Sequence, residues 1–345
     1  MNLVSFEPCP DFRRLRTALL CQQPDRVPLA ELWFDAPVKE AFLGRHIGNS
    51  FVGADYDLEA DIEFWYRAGY DYIHIEPRYH FPRRPGLEIP EGSGTITSWA
   101  DLDAYPWPTI DQVDFSYLER AANLLPSGMG IITGTSGIFE ATWMLMGLTT
   151  LSLSLYDQPD LVTAVMRKVG DLLFQVFQRA ATYPRVGAMW ISDDIAYTEG
   201  LLLNPSFFRQ HLFPWYRKMG HVCRQYGYPF LYHSDGDLWP VMEDLIGVGF
   251  NALQPIEPKA MDIAELKRKV GHRLCLIGNI DLGYTLTRGT PQEVEDEVRE
   301  RIRTVGPGGG YCVGSSNTVT HYVPLDNYVA MIEATRRYGV YPLRA

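Results

Sequence analysis

Eight short apolar runs, each followed by a longer amphipathic stretch, set the tightest limit on what this chain can fold into. The runs are 27–34, 70–76, 130–135, 187–192, 229–233, 250–255, 274–279 and 311–314. Helical spacing of apolar residues covers 57–68, 117–125, 159–181, 205–226, 238–248, 263–270 and 291–305, and 325–338 closes the chain. Start signals mark several of these helices: Asp157 and Asn204 stand before Pro159 and Pro205, and Thr290 precedes Pro291 with Glu293 beyond it. Strands that are continuously apolar rather than alternating belong to a parallel sheet covered by helices, and eight such units predict an α/β fold, a closed (β/α)8 TIM barrel. A barrel takes about 250 residues. The 345 residues therefore form a single domain (1–345) with an N-terminal helical extension over 1–26, whose helix lies at 12–21, and a long loop after the second strand at 77–117. That proline- and arginine-containing loop is equally a lid or a structural wrap around the barrel mouth.

Charge and composition remove several classes of function. There are 31 Lys and Arg against 42 Asp and Glu, a net charge of −11, and no basic run tracks a phosphate backbone, so nucleic acid is not an expected partner. The first ten residues lack an export signal, which points to a cytoplasmic protein. The apolar stretch 131–156 is broken by Glu140 and by glycines and threonines, so no membrane span is expected. Five scattered cysteines fit neither a disulfide framework nor a zinc ribbon. Base rates favour a homodimer.

In a parallel barrel the chemistry stands at the C-terminal ends of the strands, where this sequence is polar almost throughout. Glu31 lies in the first run, His74 and Glu76 end the second, and Asp193 and Asp194 follow the fourth. His233 and Asp235 end the fifth, Gln254 and Glu257 the sixth, Asn279 the seventh and Ser315 the eighth. So many ionisable groups on one mouth point to an enzyme acting on a small molecule. Such residues also cap helices and saturate loop backbone, and two adjacent acids cannot both cap one helix, so one of Asp193 and Asp194 can be structural. The spacing His233-x-Asp235 puts both side chains on one face of the strand, as two metal ligands or a base and its orienter require. The run Gly308 to Gly310 precedes a strand instead of joining a strand to a helix, and fits a tight turn better than a phosphate cradle.

Five segments carry a family resemblance: 147–162 (GLTTLSLSLYDQPDLV), 193–216 (DDIAYTEGLLLNPSFFRQHLFPWY), 230–258 (FLYHSDGDLWPVMEDLIGVGFNALQPIEP), 262–281 (DIAELKRKVGHRLCLIGNID) and 288–316 (RGTPQEVEDEVRERIRTVGPGGGYCVGSS). Together they resemble the uroporphyrinogen decarboxylase superfamily, which includes the methylcobamide:coenzyme M and other corrinoid-dependent methyltransferases. The resemblance implies a (β/α)8 barrel. Decarboxylases of the superfamily carry an arginine-rich segment soon after the first strand that pairs with the carboxylates of the tetrapyrrole. Here the matching stretch, 31–40 (ELWFDAPVKE), has no arginine, although Arg78, Arg83 and Arg84 can substitute from the long loop. The zinc methyltransferases carry His-x-Cys-Gly after the fifth strand and a further Cys after the eighth. His233 matches, but the cysteine positions hold Asp235 and Ser315 or Ser316, and Cys312 is displaced from the motif.

The resemblance and the residues together lead to a methyltransferase that moves a methyl group between an O- or N-methyl substrate and a corrinoid carried by a partner protein. His233 and Asp235 act on the leaving group or hold Zn2+ or another divalent ion, and Asp193 and Asp194 orient substrate or move a proton. Glu31, His74, Glu76, Gln254, Glu257, Asn279 and Ser315 line the substrate pocket. The alternative is a cofactor-free decarboxylase of a porphyrinogen or another pyrrolic or aromatic acid, and, less favoured, a ligand-binding barrel without turnover.

Overall fold

The computed structural model describes residues 3–47, 56–84 and 92–343. In chain order the strands are β1 (Tyr72–His74), β2 (Gly130–Ser136), β3 (Val186–Ser192), β4 (Ala196–Tyr197), β5 (Gly200–Leu201), β6 (Phe230–His233), β7 (Ala252–Gln254), β8 (Cys275–Ile277) and β9 (Tyr311–Cys312). β4 and β5 pair as a small antiparallel hairpin, and the other seven form one curled parallel sheet in the order β1-β2-β3-β6-β7-β8-β9. Long helices such as Pro159–Ala180, Phe213–Tyr226, Pro291–Val305 and Leu325–Tyr338 pack their apolar faces on it. Two of the three start signals act as expected, while Asp157 instead ends the Leu148–Asp157 helix and Gln158 precedes Pro159 without a side-chain cap. Thr290 and Glu293 form a reciprocal capping box, Asn204 caps Ser206 N, and Asp262 caps the Ile263–Val270 helix.

The fold is TIM-barrel-like, but a closed eight-stranded ladder is not formed. The first predicted strand, 27–34, touches the sheet only at isolated parallel bridges, Leu29 to Val313 and Phe34 to Val319. Pro28 has no N–H to extend that ladder. On the β1 side, the backbone N–H and C=O of Glu31 are both bonded to the buried Tyr72 hydroxyl, which stands in for the missing strand contacts. Phe34 then closes the seam with edge-to-face contacts to Phe64 at 4.8 Å and Trp65 at 5.0 Å.

Two further expectations change. The helix expected over 205–226 is broken into Pro205–Phe207, a π-helical turn at Phe208–Leu212, and Phe213–Tyr226. Pro214 lacks the N–H that would continue a regular α-ladder through this turn. The long loop is folded: Arg78 and Asp114 exchange backbone hydrogen bonds at 2.9 Å and pin its two ends, and a helix at Trp99–Ala104 lies between. Its middle, 85–91, lies outside the described residues. The apolar stretch 131–156 becomes β2 and two helices, Ile138–Met146 and Leu148–Asp157, that meet at 92°. Among the described residues no single helix is long and apolar enough to cross a membrane. All three glycines of the 308–310 run have positive φ, and the Lys267 ammonium bonds the Gly309 carbonyl, so the run is a turn at the foot of β9.

Candidate active site

Strand register decides which side chains meet. Ser192 of β3 stands opposite His233 of β6, and His233 stands opposite Gln254 of β7, so the residues just beyond these three ends share one level. Successive residues leaving a strand point to opposite sides, and Asp193 and Asp194 separate accordingly. Asp194 turns into the mouth, where its Oδ1 accepts from Asp235 N at 2.8 Å and lies 3.7 Å from His233 Nε2. The ligand atoms of Asp194, His233 and Asp235 all lie within 4.8 Å of one another.

A hydrogen-bonded chain fixes this triad. Gln254 Nε2 donates to the Asn317 carbonyl at 2.7 Å, which leaves its Oε1 as the acceptor facing His233 Nδ1. His233 therefore carries a proton on Nδ1 and turns Nε2 toward the two aspartates. Asn317 Nδ2 donates to Asp235 Oδ2 at 2.6 Å, closing the circuit. Asp235 Oδ1 is buried and meets no partner among the described residues. Burial pushes the Asp235 carboxyl up to about 6 against the pull of His233. The 235–237 turn is held by Asp237 N donating to Tyr197 O at 3.0 Å. Gly236 makes that approach possible: its φ is +85°, and a Cβ there would lie 2.4 Å from the Tyr197 carbonyl.

Asp193 goes the other way and is fully buried. Its carboxylate accepts Phe139 N at 2.9 Å and Glu140 N at 2.8 Å, the first turn of the Ile138–Met146 helix, and also the Tyr216 hydroxyl. Burial pushes it up to about 6. A Cβ on Gly137 would fall 2.0 Å from Asp193 Oδ1, so only glycine lets the strand-to-helix turn close on this anchor. Asp193 is thus a positioning residue that aims the helix carrying Glu140 at the mouth.

The other predicted residues fall into three places. Glu257 accepts from Thr198 Oγ1 at 2.8 Å and lines, with Asp235 and Asn317, a cavity of about 420 Å³ beside the triad. His74 and Glu76 line a separate cavity of about 220 Å³ with Tyr79 and Ser136. Glu31 and Ser315 meet each other, not the triad: Ser315 N and Oγ both donate to the Glu31 carboxyl, which burial pushes up to about 8. Asn279 is turned outward, donating to Ile256 O at 2.9 Å and accepting from Arg301 Nε at 3.0 Å, so it does not line the pocket as expected. Cys312 Sγ lies 4.0 Å from Cys275 Sγ between neighbouring strands.

Glu140 was not among the residues singled out for the site. It lines a further cavity of about 270 Å³ that shares Tyr79 and Ser136 with the first. Burial, and then the charges of Asp193, Asp194, Asp235 and Glu76, push its carboxyl up to about 8. It is the only charged residue between 131 and 156, and that isolation was the available signal. Asn317 stands with Ser315 and Ser316 among the polar residues that end the eighth run, whereas Tyr216 reaches the site through a tertiary contact that no local pattern announces.

Comparisons with known proteins agree on the family. The family model described as Uroporphyrinogen decarboxylase (URO-D) matches residues 83–338, which includes the triad and Glu140 but not His74 or Glu76. Uroporphyrinogen decarboxylase from Coxiella burnetii is 23% identical over 260 residues, 71% of this chain and 69% of that protein. The enzyme of the same name from Methylococcus capsulatus is 24% identical over 273 residues, covering 74% and 75%. Among solved structures, a methyltransferase from Methanosarcina mazei superposes with a TM-score of 0.72 at 18% identity, over 94% of this chain and 98% of that one, which shows a shared fold. With most of its length matched by that family model, this chain belongs to the uroporphyrinogen decarboxylase (URO-D) family.

Proposed function

We propose that this URO-D family protein is a methyltransferase that moves a methyl group between an O- or N-methyl substrate and a corrinoid carried by a separate protein. The observation that carries the reading is the Asp194, His233 and Asp235 triad, one nitrogen and two oxygen donors within 4.8 Å, with one carboxylate oxygen buried and unanswered. The fold shared with the Methanosarcina mazei methyltransferase supports it. When a methyl group leaves oxygen or nitrogen, the bond breaks with its electron pair left on the heteroatom, which then needs a proton or a positive centre beside it.

His233 Nε2 and the two carboxylates fit Zn2+ or another divalent ion better than they fit thiol activation, because no thiolate joins them. Such an ion, when bound, supplies Lewis-acid polarisation of the departing heteroatom. The chain's own part is positional. Gln254 fixes the His233 tautomer, Asn317 holds Asp235, and the Asp235 amide holds Asp194. Glu140, a neutral acid near pH 7, stands ready to give a proton to the leaving group.

A second reading, cofactor-free decarboxylation of a pyrrolic or aromatic acid, is favoured by the names of the curated relatives and by the same acid, which suits protonation of a ring carbon. Against it, Arg78 is laid on the Tyr117 ring and Arg83 on Met144 Sδ, while four carboxylates act on Glu140, a poor setting for a multiply anionic substrate. Elemental mass spectrometry of the purified protein and of the H233A D235A double variant separates the two. The expected result is a stoichiometric divalent ion that the variant loses, together with its methyl transfer to a reduced corrinoid. Conversion of uroporphyrinogen to coproporphyrinogen, unchanged by chelation, would replace this reading with the second.

A further inference from the structure

On the β1 and β2 side of the mouth, the two cavities that share Tyr79 and Ser136 contain polar groups that the fold leaves unanswered. We infer that they form one subsite selecting an uncharged, ring-sized ligand with a hydroxyl or ether oxygen, a small phenol in class, held by hydrogen bonds from His74 and Glu76. Its role as the body of the methyl donor rests on the methyl-transfer reading; the binding itself does not.

His74 carries the argument. It is 5% exposed, lines the cavity, and neither ring nitrogen makes a well-formed hydrogen bond among the described residues, the Leu32 backbone giving only a weak contact. A buried donor or acceptor left unmade costs about 1–3 kcal/mol, and histidines placed for structure are normally bonded. The Glu76 carboxyl stands 3.6 Å from His74 Nε2 without answering it. Burial holds His74 down at about 4 and Glu76 up at about 7, so near neutrality the pair offers hydrogen-bonding groups with little net charge. A phenolic hydroxyl can donate to one and accept from the other.

Size and lining narrow the class. Cavities of about 220 and 270 Å³ admit one substituted ring, not a tetrapyrrole. The walls of the first include the rings of Tyr56, Tyr79 and Tyr117 with Ile75 and Pro77. Three tyrosines would suit a quaternary ammonium, but the Arg78 guanidinium lies 3.7 Å from the Tyr117 centroid and 4.9 Å from that of Tyr56, and so repels a cation there. The same burial that drives Glu76 and Glu140 toward their uncharged forms also penalises a carboxylate brought in by a ligand.

The test is equilibrium binding of phenol, benzoate and trimethylphenylammonium to the full chain at pH 7, with the H74L and E76Q variants. Phenol should bind at least tenfold tighter than either charged probe. H74L should lose at least tenfold in phenol affinity while its melting temperature holds or rises, because it removes a buried polar ring that makes no well-formed hydrogen bond. If H74L does not fold, E76Q carries the same test with an expected loss of threefold or more. Equal or tighter binding of benzoate or the ammonium, or unchanged phenol binding in the variants, overturns the subsite. Phenol binding without methyl transfer from its methyl ether would instead overturn the methyl-transfer reading and leave the subsite standing.

Discussion

Around His233 the polar groups hold one another, from Gln254 through Asn317 to Asp235 and back to Asp194, whereas around His74 the ring nitrogens make no well-formed hydrogen bond and only a weak contact with the Leu32 backbone. Both histidines are 5% exposed and both end a strand of the same sheet, so burial and position do not separate them. Connectivity does. A hydrogen-bonded circuit that leaves Asp235 Oδ1 open makes one geometry rigid before any ligand arrives, as chemistry at a fixed centre requires. A wall of unsatisfied groups is stable only when something else supplies the partners, as selection of a ligand requires.

The harshest way to break this comparison is to remove the anchor beneath the organised half. Asp193→Ala strands two helix-start amides and the Tyr216 hydroxyl inside the protein. At about 1–3 kcal/mol for each unsatisfied buried group, partly relieved by relaxation, we expect a loss of about 3–5 kcal/mol in urea unfolding. Tyr216→Phe, which removes one donor to the same carboxylate, should lose no more than about 2 kcal/mol. A loss under about 1 kcal/mol for Asp193→Ala would return Asp193 to the list of candidate catalytic groups.

The separation of Asp193 from Asp194 also shows where the sequence stops speaking. The βα alternation, the Thr290 capping box and the shared face of His233 and Asp235 are local, and each is visible in a few consecutive residues. Which of two adjacent acids faces the mouth depends on strand phase at its last residue, and a one-residue error exchanges them. The 27–34 segment reads as a strand in composition, yet its ladder is interrupted by Pro28 and by a hydroxyl 41 positions away on Tyr72. Asn317 reaches Asp235 across 82 positions. Contacts of that kind belong to the curled sheet as a whole, not to any window of sequence.

A finer cut leaves every proposed ligand in place and loosens only its support. Gln254→Leu removes the acceptor that sets the His233 tautomer and unties Asn317. Loss of such an outer partner typically lowers metal affinity or activity about 10–100-fold, which a Zn2+ titration of the chelated protein will read. Phenol binding on the His74 side should stay within twofold. If both readouts fall together, the two halves of the mouth are one cooperative unit and the contrast drawn between them is wrong.

The smallest effect sharpens the boundary between the halves, where Glu31 and Ser315 tie the seam that backbone ladders leave open. Burial raises the Glu31 carboxyl from 4.5 to about 8. Below pH 4.5 the group is protonated in both folded and unfolded chains and contributes no slope. Between 4.5 and about 8 the unfolded chain has released a proton that the folded chain retains, so stability falls as pH rises. The ceiling is about 1.4 kcal/mol per pH unit, and local relaxation should bring the measured change between pH 5 and 7 to about 1 kcal/mol. Glu31→Gln keeps an acceptor for Ser315 N and cannot titrate, so its stability should match the parent near pH 4.5 and exceed it increasingly toward pH 8. Parallel stability curves for the two proteins would mean that the Glu31 carboxyl ionises in the folded chain as readily as in water, and that the seam beside the His74 cavity is open to solvent instead of sealed by Ser315.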